Sequence, residues 1–342
     1  AKLARKKPLD IANTIVEHLP ETDFIGKVEV APRGFINIFF SEDYLKKQVE
    51  TIITEGENFF ELDRGAGKTA QVEFVSANPS GPITIGHTRG AVVGDAMARV
   101  LEAAGYDVQR EYYFNNAGNQ MIILGNSLML RYQQQCGKDV VFPDDHYQGG
   151  YLIEIAQELA KKHGDSLLDK GWEYFKDIAE TRMFDWIKKS LDSIDIQHDA
   201  FFNETSLFEN GEVWNVLETL DANGYIYEAT HWEGETEEKI AEITAKGYEP
   251  AKWFRSSKFG DEKDRVMVKA DGIPTYTLPD IAYHKNKLNR KFDVAVNILG
   301  ADHFTEAQVV RNGITALGMD PEPIHVIFTQ MVRAVRYNEE TG

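Results

Sequence analysis

The densest run of residues able to do chemistry spans 71–87 and reads QVEFVSANPSGPITIGH. Val72, Phe74 and Val75 open it as a short apolar strand. Asn78, Pro79, Ser80 and Gly81 make a turn, and Ile85-Gly86-His87 leads into a long amphipathic run. Such a strand, tight loop and helix start present free backbone N–H groups and the positive end of a helix dipole to an anion, usually a phosphate. Gly86 lets backbone approach that ligand closely, and His87 adds a side-chain donor at the same spot. The pattern points to a nucleotide. The other glycine-rich run, Gly65-Ala66-Gly67-Lys68-Thr69, fails as a phosphate loop, because position 62 is Leu where the motif needs Gly and the run precedes a strand.

A corner of this kind needs a sheet behind it. Residues 87–104 carry apolar positions at helical spacing (Ala91, Val92, Ala96, Val100, Leu101), and 108–113 reads as a second strand. That is the first half of a doubly wound nucleotide fold. Residues 121–200 are mostly helical, with stripes at Tyr151, Ile153, Ile155 and Leu159, at Trp172, Phe175 and Ile178, and at Met183, Trp186, Ile187 and Leu191, all read as core. Beyond a charged stretch, 265–269 is an expected strand, and 276–287 begins with strand character and becomes a helix. Residues 292–299 form a buried strand ending at Gly300-Ala301-Asp302-His303, which is either a ligand-facing strand end or a loop in which Asp302 caps the next helix. A helix over 304–317 and a strand over 324–328 follow. Strands alternating with helices predict an α/β fold with a parallel sheet. Upstream, 8–19 has helical spacing (Ile11, Ile15, Val16, Leu19), and 25–30 and 34–40 form a strand pair.

With 342 residues the chain has room for two or three domains, and its 42% hydrophobic and 27% charged content is that of a globular protein. No apolar run reaches the roughly 18 residues of a membrane span, so no membrane partner is expected. The single Cys136 excludes an internal disulfide and a cysteine-rich zinc site, and it implies a reducing compartment such as the cytoplasm. A net charge of -18 argues against tight nucleic-acid binding by this chain alone, although Lys2, Arg5, Lys6 and Lys7 make the start locally basic. The absence of an initiator Met, with a start inside a helical segment, gives the expectation of a truncated chain.

The residues around the corner carry a more specific likeness. Glu73 through Asn78-Pro79, Gly81-Pro82, Gly86-His87-Thr88-Arg89-Gly90, Gly94-Asp95, the run from Leu101 to Val108, Arg110-Glu111-Tyr112-Tyr113 and Ala117-Gly118-Asn119-Gln120 resemble arginyl-tRNA synthetases, members of class I, with the "HIGH" signature at the helix start. The first His of that signature is Thr84 here; a Thr donates a hydrogen bond but carries no charge. Downstream, Arg255-Ser256-Ser257, Phe259-Gly260-Asp261 and the run from Lys263 to Val266 fit the same family as a charged hairpin.

The resemblance implies a Rossmann-like class I catalytic domain, ATP with Mg2+, and L-arginine and tRNA(Arg) as partners of a monomeric ligase. It divides the chain into a partial tRNA-contacting module (1–42), a connecting helix and loop (43–69), the first half of the catalytic fold (70–120), a mostly helical insertion (121–250) and the second half (251–342). The lysine-rich "KMSKS" loop and anticodon-binding domain are expected beyond Arg336, so the chain is read as a fragment impaired in turnover. An alternative is a synthetase-like paralogue that binds arginine and ATP without turnover. The family match assigns His87, Thr84 and Gly86 to catalysis, and Gly86, His87, Gly300, Asp302, His303, Met331 and Val332 to ATP, with Arg333 and Arg336 as nearby phosphate partners. It assigns Ser76, Asn78 and Gln120 to the amino-acid end of arginine, with Glu73 in the same pocket. Asp280 and Glu204 fall to the guanidinium, with Tyr276 against it. A guanidinium is a planar fork that carboxylates hold bidentately. Taken alone, Asp280 reads as a helix N-cap, Glu204 as a solvated loop acid and Asn78 as a turn former.

Overall fold

The computed structural model describes residues 5–330 together with Val332 and Val335. Lys2, Met331, Arg333 and Arg336 lie outside the described residues. The chain divides into two compact units, the first ending at Asp63 and the second beginning at Arg64.

The first unit holds α1 (Pro8–Glu17), the antiparallel pair β1 (Ile25–Ala31) and β2 (Phe35–Phe40), and α2 (Glu42–Glu55). Pro8 suits the first position of α1, where its missing N–H would have no partner. Ser41 caps α2 by accepting the Tyr44 N–H at 3.2 Å.

The second unit runs β3 (Thr69–Glu73), α3 (Ile85–Ala103), β4 (Asp107–Phe114), α4 (Asn119–Gln135), α5 (Gly150–His163), α6 (Trp172–Asp192), β5 (Ala200–Asn203), α7 (Thr205–Glu209) and α8 (Glu212–Ala222). It continues through β6 (Ile226–Ala229), α9 (Glu237–Lys246), β7 (Ala251–Phe254), β8 (Arg265–Val268), α10 (Thr277–Asn289), β9 (Val294–Gly300), α11 (Phe304–Ala316) and β10 (Ile324–Thr329). Five strands form a parallel sheet in the order β10-β9-β3-β4-β5, and β6, β7 and β8 form a separate antiparallel sheet. No helix of the described residues is long and apolar enough to cross a membrane.

Strand alternation sorts the main sheet into two faces of different chemistry. Val72, Phe74, Tyr112, Phe114, Val296 and Ile298 form one, a hydrophobic face packed with Ala91 and Ala98 of α3 and Ile187 and Leu191 of α6. Gln71, Glu73, Glu111 and Asn297 form the other; they are polar, buried and in register, with Glu73 opposite both Glu111 and Asn297. Helix α10 lies over this second face.

Three expectations are corrected. In α3 the buried positions are Ala91, Gly94, Asp95 and Ala98, while Val92 and Val100 are 53% and 63% exposed and Ala96 faces outward as well. The helix lies so close to β3 that a Cβ on Gly94 would fall 2.2 Å from the Phe74 ring, so small residues occupy the contact and the larger apolar ones do not. Residues 121–250 are not one helical insertion. The helical body of α4, α5 and α6 has its own core around Leu124, Leu128, Leu152 and Phe175, but β5 is an edge strand of the main sheet and β6 belongs to the second sheet. Nor does strand character precede α10, since Tyr276 already has helical backbone angles. The turn at Asp271-Gly272 folds 273–275 back on β8, with the Thr275 N–H on Met267 O at 2.8 Å, and this leaves Tyr276 to start the helix.

The Gly94 contact is testable. Gly94→Ala is expected to destabilise the chain by about 1–3 kcal/mol through overpacking against Phe74, read as a lowered urea midpoint; an unchanged midpoint would mean α3 can move off β3 freely.

Candidate active site

At the end of β3 the backbone leaves the extended region abruptly. Val75 and Ser76 have φ of 68° and 46°, the left-handed region, which a β-branched residue such as Val75 rarely enters. Conformations of this kind cost on the order of 1–3 kcal/mol each and persist only where the surroundings enforce them. Here the surroundings do. Phe74 O accepts the Ser76 N–H at 3.0 Å and contacts His198 Nε2 at 3.2 Å. The Tyr112 hydroxyl accepts the Ala77 N–H at 3.1 Å and donates to Ala77 O at 2.7 Å. Ser76 Oγ donates to Glu73 Oε1 at 2.9 Å and accepts the Tyr113 N–H at 3.2 Å.

Thr84 stands at the N-cap of α3, and its N–H donates to His87 Nδ1 at 3.1 Å. Nδ1 is therefore an acceptor, and the neutral ring carries its proton on Nε2. A Cβ on Gly86 would meet nothing closer than Thr84 Oγ1 at 3.4 Å and Val332 O at 4.0 Å, so the fold itself does not demand glycine there. The free space belongs to a cavity of about 290 Å³ lined by Ser76, Gly86, His87, Gly300, Asp302 and His303. Asp302 and His303 are exposed at its edge, and His303 Nδ1 lies 3.2 Å from Glu306 Oε2.

A second cavity, about 260 Å³, shares Val75, Ser76, Ile298, Leu299, Gly300 and His303 with the first. It holds acids: Glu73, Asp280 and, from α11, Glu306. A molecule in each would meet across the strained turn. Burial pushes the Asp280 carboxyl up to about 8, and Glu204, Glu73 and Glu306 push in the same direction. Burial likewise raises Glu204, partly offset by the Tyr113 hydroxyl, which donates to it at 2.5 Å; Asn115 Nδ2 donates to its other oxygen at 2.7 Å.

The floor is the polar stripe of α10, where Asp280, Tyr283, His284, Lys287 and Arg290 recur at helical spacing. Arg290 grips Glu111 with Nη1 on Oε2 at 2.5 Å and Nη2 on Oε1 at 2.8 Å, and the Tyr283 hydroxyl adds a bond at 2.6 Å. Lys287 Nζ, fully buried, donates to Glu73 Oε2 at 2.5 Å and to Asn297 Oδ1. Asn297 Nδ2 in turn lies 2.7 Å from His284 Nε2, and His284 Nδ1 lies 2.8 Å from Asp280 O. The carbonyl makes Nδ1 a donor, so Nε2 accepts from Asn297. Burial pulls His284 down to about 4, which keeps it neutral.

The structure brings together Ser76, Asp280, Gly86, His87, Gly300, Asp302 and His303 around these two cavities, with Val332 near Gly86. Glu204 and Tyr276 line instead a neighbouring groove of about 690 Å³, and Tyr276 is 79% exposed. Asn78 and Gln120 are bonded to one another at 3.1 Å and line neither cavity. Sequence reasoning missed Glu111, His284, Lys287, Arg290 and Asn297. For His284, Lys287 and Arg290 the signal was a polar stripe at helical spacing, where an apolar one would ordinarily meet a sheet; for Glu111 and Asn297 it was a polar residue inside a buried strand.

A parallel sheet of this order, with a HIGH-type helix start at the end of β3, defines a class I aminoacyl-tRNA synthetase catalytic fold. The family model described as "tRNA synthetases class I (R), catalytic domain" matches residues 48–332, and one described as "Arginyl tRNA synthetase N terminal domain" matches residues 1–40. The chain belongs to the arginyl-tRNA synthetase family. An arginine–tRNA ligase of Chlorobium limicola is 43% identical over 339 residues, 97% of this chain and 58% of the relative. One from Prosthecochloris aestuarii is 42% identical over 341 residues, 97% of this chain and 58% of its own length. The chain thus spans 58% of the length of these relatives. A Campylobacter jejuni crystal structure given as an arginyl-tRNA synthetase superposes with a TM-score of 0.72 at 32% identity, covering 85% of this chain and 60% of that one. The Thermus thermophilus arginyl-tRNA synthetase shares the fold at a TM-score of 0.67 and 17% identity, covering 96% of this chain and 58% of that one.

The raised Asp280 carboxyl has a consequence for stability. Its proton affinity is higher in the folded chain than the ordinary 3.8, so ionisation opposes folding increasingly as pH rises from about 4 to about 8. Asp280→Asn removes that opposition. It is expected to raise the melting temperature at pH 8, with the gain shrinking toward pH 4; a melting temperature lowered at pH 8 would contradict the assignment.

Proposed function

We propose that this chain is the arginine-activating part of an arginine–tRNA ligase. The observation that carries the reading is the pair of cavities sharing one wall, one at a helix N-terminus and the other lined by carboxylates with too few cations. ATP would place its phosphates against Gly86 and the first turn of α3, where Thr84 holds the His87 ring and leaves its Nε2–H as the donor. Gly300, Asp302 and His303 would take the ribose, and Val332 with Met331 the adenine. Mg2+ would arrive with ATP. Arginine would put its guanidinium against Asp280, with Glu204 and Tyr276 closing from the adjoining groove. Its amino-acid end would lie toward Ser76, with Asn78 and Gln120 beyond.

In this arrangement an oxygen of the arginine carboxylate attacks the α-phosphorus, the new P–O bond forms as the bond to pyrophosphate breaks, and arginyl-adenylate results. The terminal adenosine of tRNA(Arg) then takes the arginyl group. Positioning and electrostatic stabilisation of the phosphorus centre carry the first step, and no protein nucleophile is needed. Lysine would leave the carboxylates without a matching fork, a loss that such sites turn into discrimination of about 10⁴–10⁵. A second reading, binding without turnover, draws on Thr84, which supplies no second imidazole.

Calorimetric titration with arginine and lysine, with and without an ATP analogue, tests the reading. Arginine is expected to bind and lysine not; equal binding of both would sink the pocket. Asp280→Asn is expected to weaken arginine binding by about 2–5 kcal/mol. Because a guanidinium favours the ionised carboxylate, wild-type affinity for arginine should fall as pH drops below about 8, by up to about tenfold per unit. A flat profile from pH 6 to 8 would mean that Asp280 does not face the ligand. Gly86→Ala should fold normally and lose affinity for the ATP analogue, with arginine binding retained; unchanged analogue binding would place the phosphates elsewhere.

A further inference from the structure

Arg311, which lines the second cavity, is turned away to Pro321 O, Ile324 O and Glu322, and a further cation, Lys287, lies behind the lining, bonded to its Glu73 and Asn297. Lys287 is fully buried, and both partners of its Nζ, Glu73 Oε2 and Asn297 Oδ1, are acceptors, as an ammonium requires. Glu73 has its other oxygen occupied by the Ser76 hydroxyl. With a partner already on each oxygen, Glu73 has less acceptor capacity to offer a planar fork than Asp280, although it lines the same cavity. Asp280 differs: its carbonyl is tied to His284, and no bond of its carboxylate to a protein donor is found among the described residues.

We propose that Lys287, buried behind the arginine cavity, is its counter-cation, neutralising Glu73 so that Asp280 is the carboxylate left free for the guanidinium. The inference rests on the arginine reading for its ligand, not for its electrostatics. Every element around Asp280 supplies a group that bears on its charge. Glu73 faces it from β3, Tyr113 from β4, Glu204 from the end of β5, His303 from the loop after β9, and Glu306 and Arg311 from α11, and its own helix adds neutral His284 and Lys287. Three of these are carboxylates that oppose its ionisation, and Lys287 opposes them. Lys287 also acts through geometry. Asn297 accepts a hydrogen bond from it and donates to His284, which donates to the Asp280 carbonyl, so the ammonium fixes the first turn of α10 as well as the charge above it. Lys287 is a positioning residue, since the ligand is held by the carboxylates it serves.

The test is a carboxyl-carbon NMR titration of Asp280 in the ligand-free chain. Lys287→Met is expected to raise the midpoint by about one pH unit or more, with arginine affinity at pH 7 falling about tenfold for each unit. Lys287→Arg, which keeps the charge, should stay near wild type. Glu73→Gln leaves the ammonium without its anion and should lower the midpoint, which keeps the proposal testable if Lys287→Met does not fold. An unmoved midpoint in Lys287→Met, or in Glu73→Gln where Lys287→Met does not fold, would overturn the proposal, because a merely structural lysine would change stability without moving that titration. The titration uses no arginine, so its failure is distinct from that of the functional reading, which falls if wild-type chain binds no arginine.

Discussion

The pairing of α10 with the polar face of the sheet is the constraint on which the site depends. Two ion pairs make it, Arg290 with Glu111 and Lys287 with Glu73, together with Tyr283 and Asn297. Buried ion pairs are weak stabilisers, since desolvation of both charges offsets much of their attraction and apolar replacements of the same volume often do as well. What an apolar contact would not supply is register. A leucine stripe could slide along a valine face with little change in energy, whereas a bidentate Arg290–Glu111 grip admits one position. That position sets where Asp280, three helical turns earlier, meets the cavity.

The same logic applies on the other side of the strand end. Val75 and Ser76 sit in a backbone region that opposes folding, and the turn survives because Tyr112, His198 and Glu73 hold it at several points. Relaxing it into extended strand would carry Ser76 past the place where the two cavities share a wall. Glu73 belongs to both arrangements, bonded to Lys287 under the sheet and to Ser76 at the turn. Charge pairing of the helix and strain of the turn are thus one connected structure.

Much of this was legible in the sequence, and the part that was not has a physical reason. The corner at 71–87, the parallel α/β fold and the strand ending at Gly300 follow from periodicity and turn chemistry, because those signals are local. Residues 276–287 misled for the opposite reason. Their helix begins where a turn at Asp271-Gly272 folds the chain back on β8, which only the tertiary pairing decides. The phase of α3 was misread because apolar count was taken as burial, while close approach to Phe74 selects Gly94. The Lys287–Glu73 pair is 214 positions apart in sequence, and nothing local announces it. The grouping of Tyr276 with Asp280 and Glu204 came from family resemblance, and here the three are divided between adjoining spaces.

The two acids also differ in the partners that hold them. Burial pushes both Asp280 and Glu204 toward their protonated forms, and at Asp280 the neighbouring Glu204, Glu73 and Glu306 add repulsion. Glu204 relieves its share through Tyr113 and Asn115, two neutral donors that hold it on the groove side. Among the described residues no such donor meets the Asp280 carboxylate, and Lys287 moderates the repulsion it keeps. A cation entering between them would reverse the sign of that interaction and draw both acids toward itself. One acid held by neutral donors beside another that is not makes a site whose charge balance any added positive charge would improve, the more so the nearer it lies to Asp280.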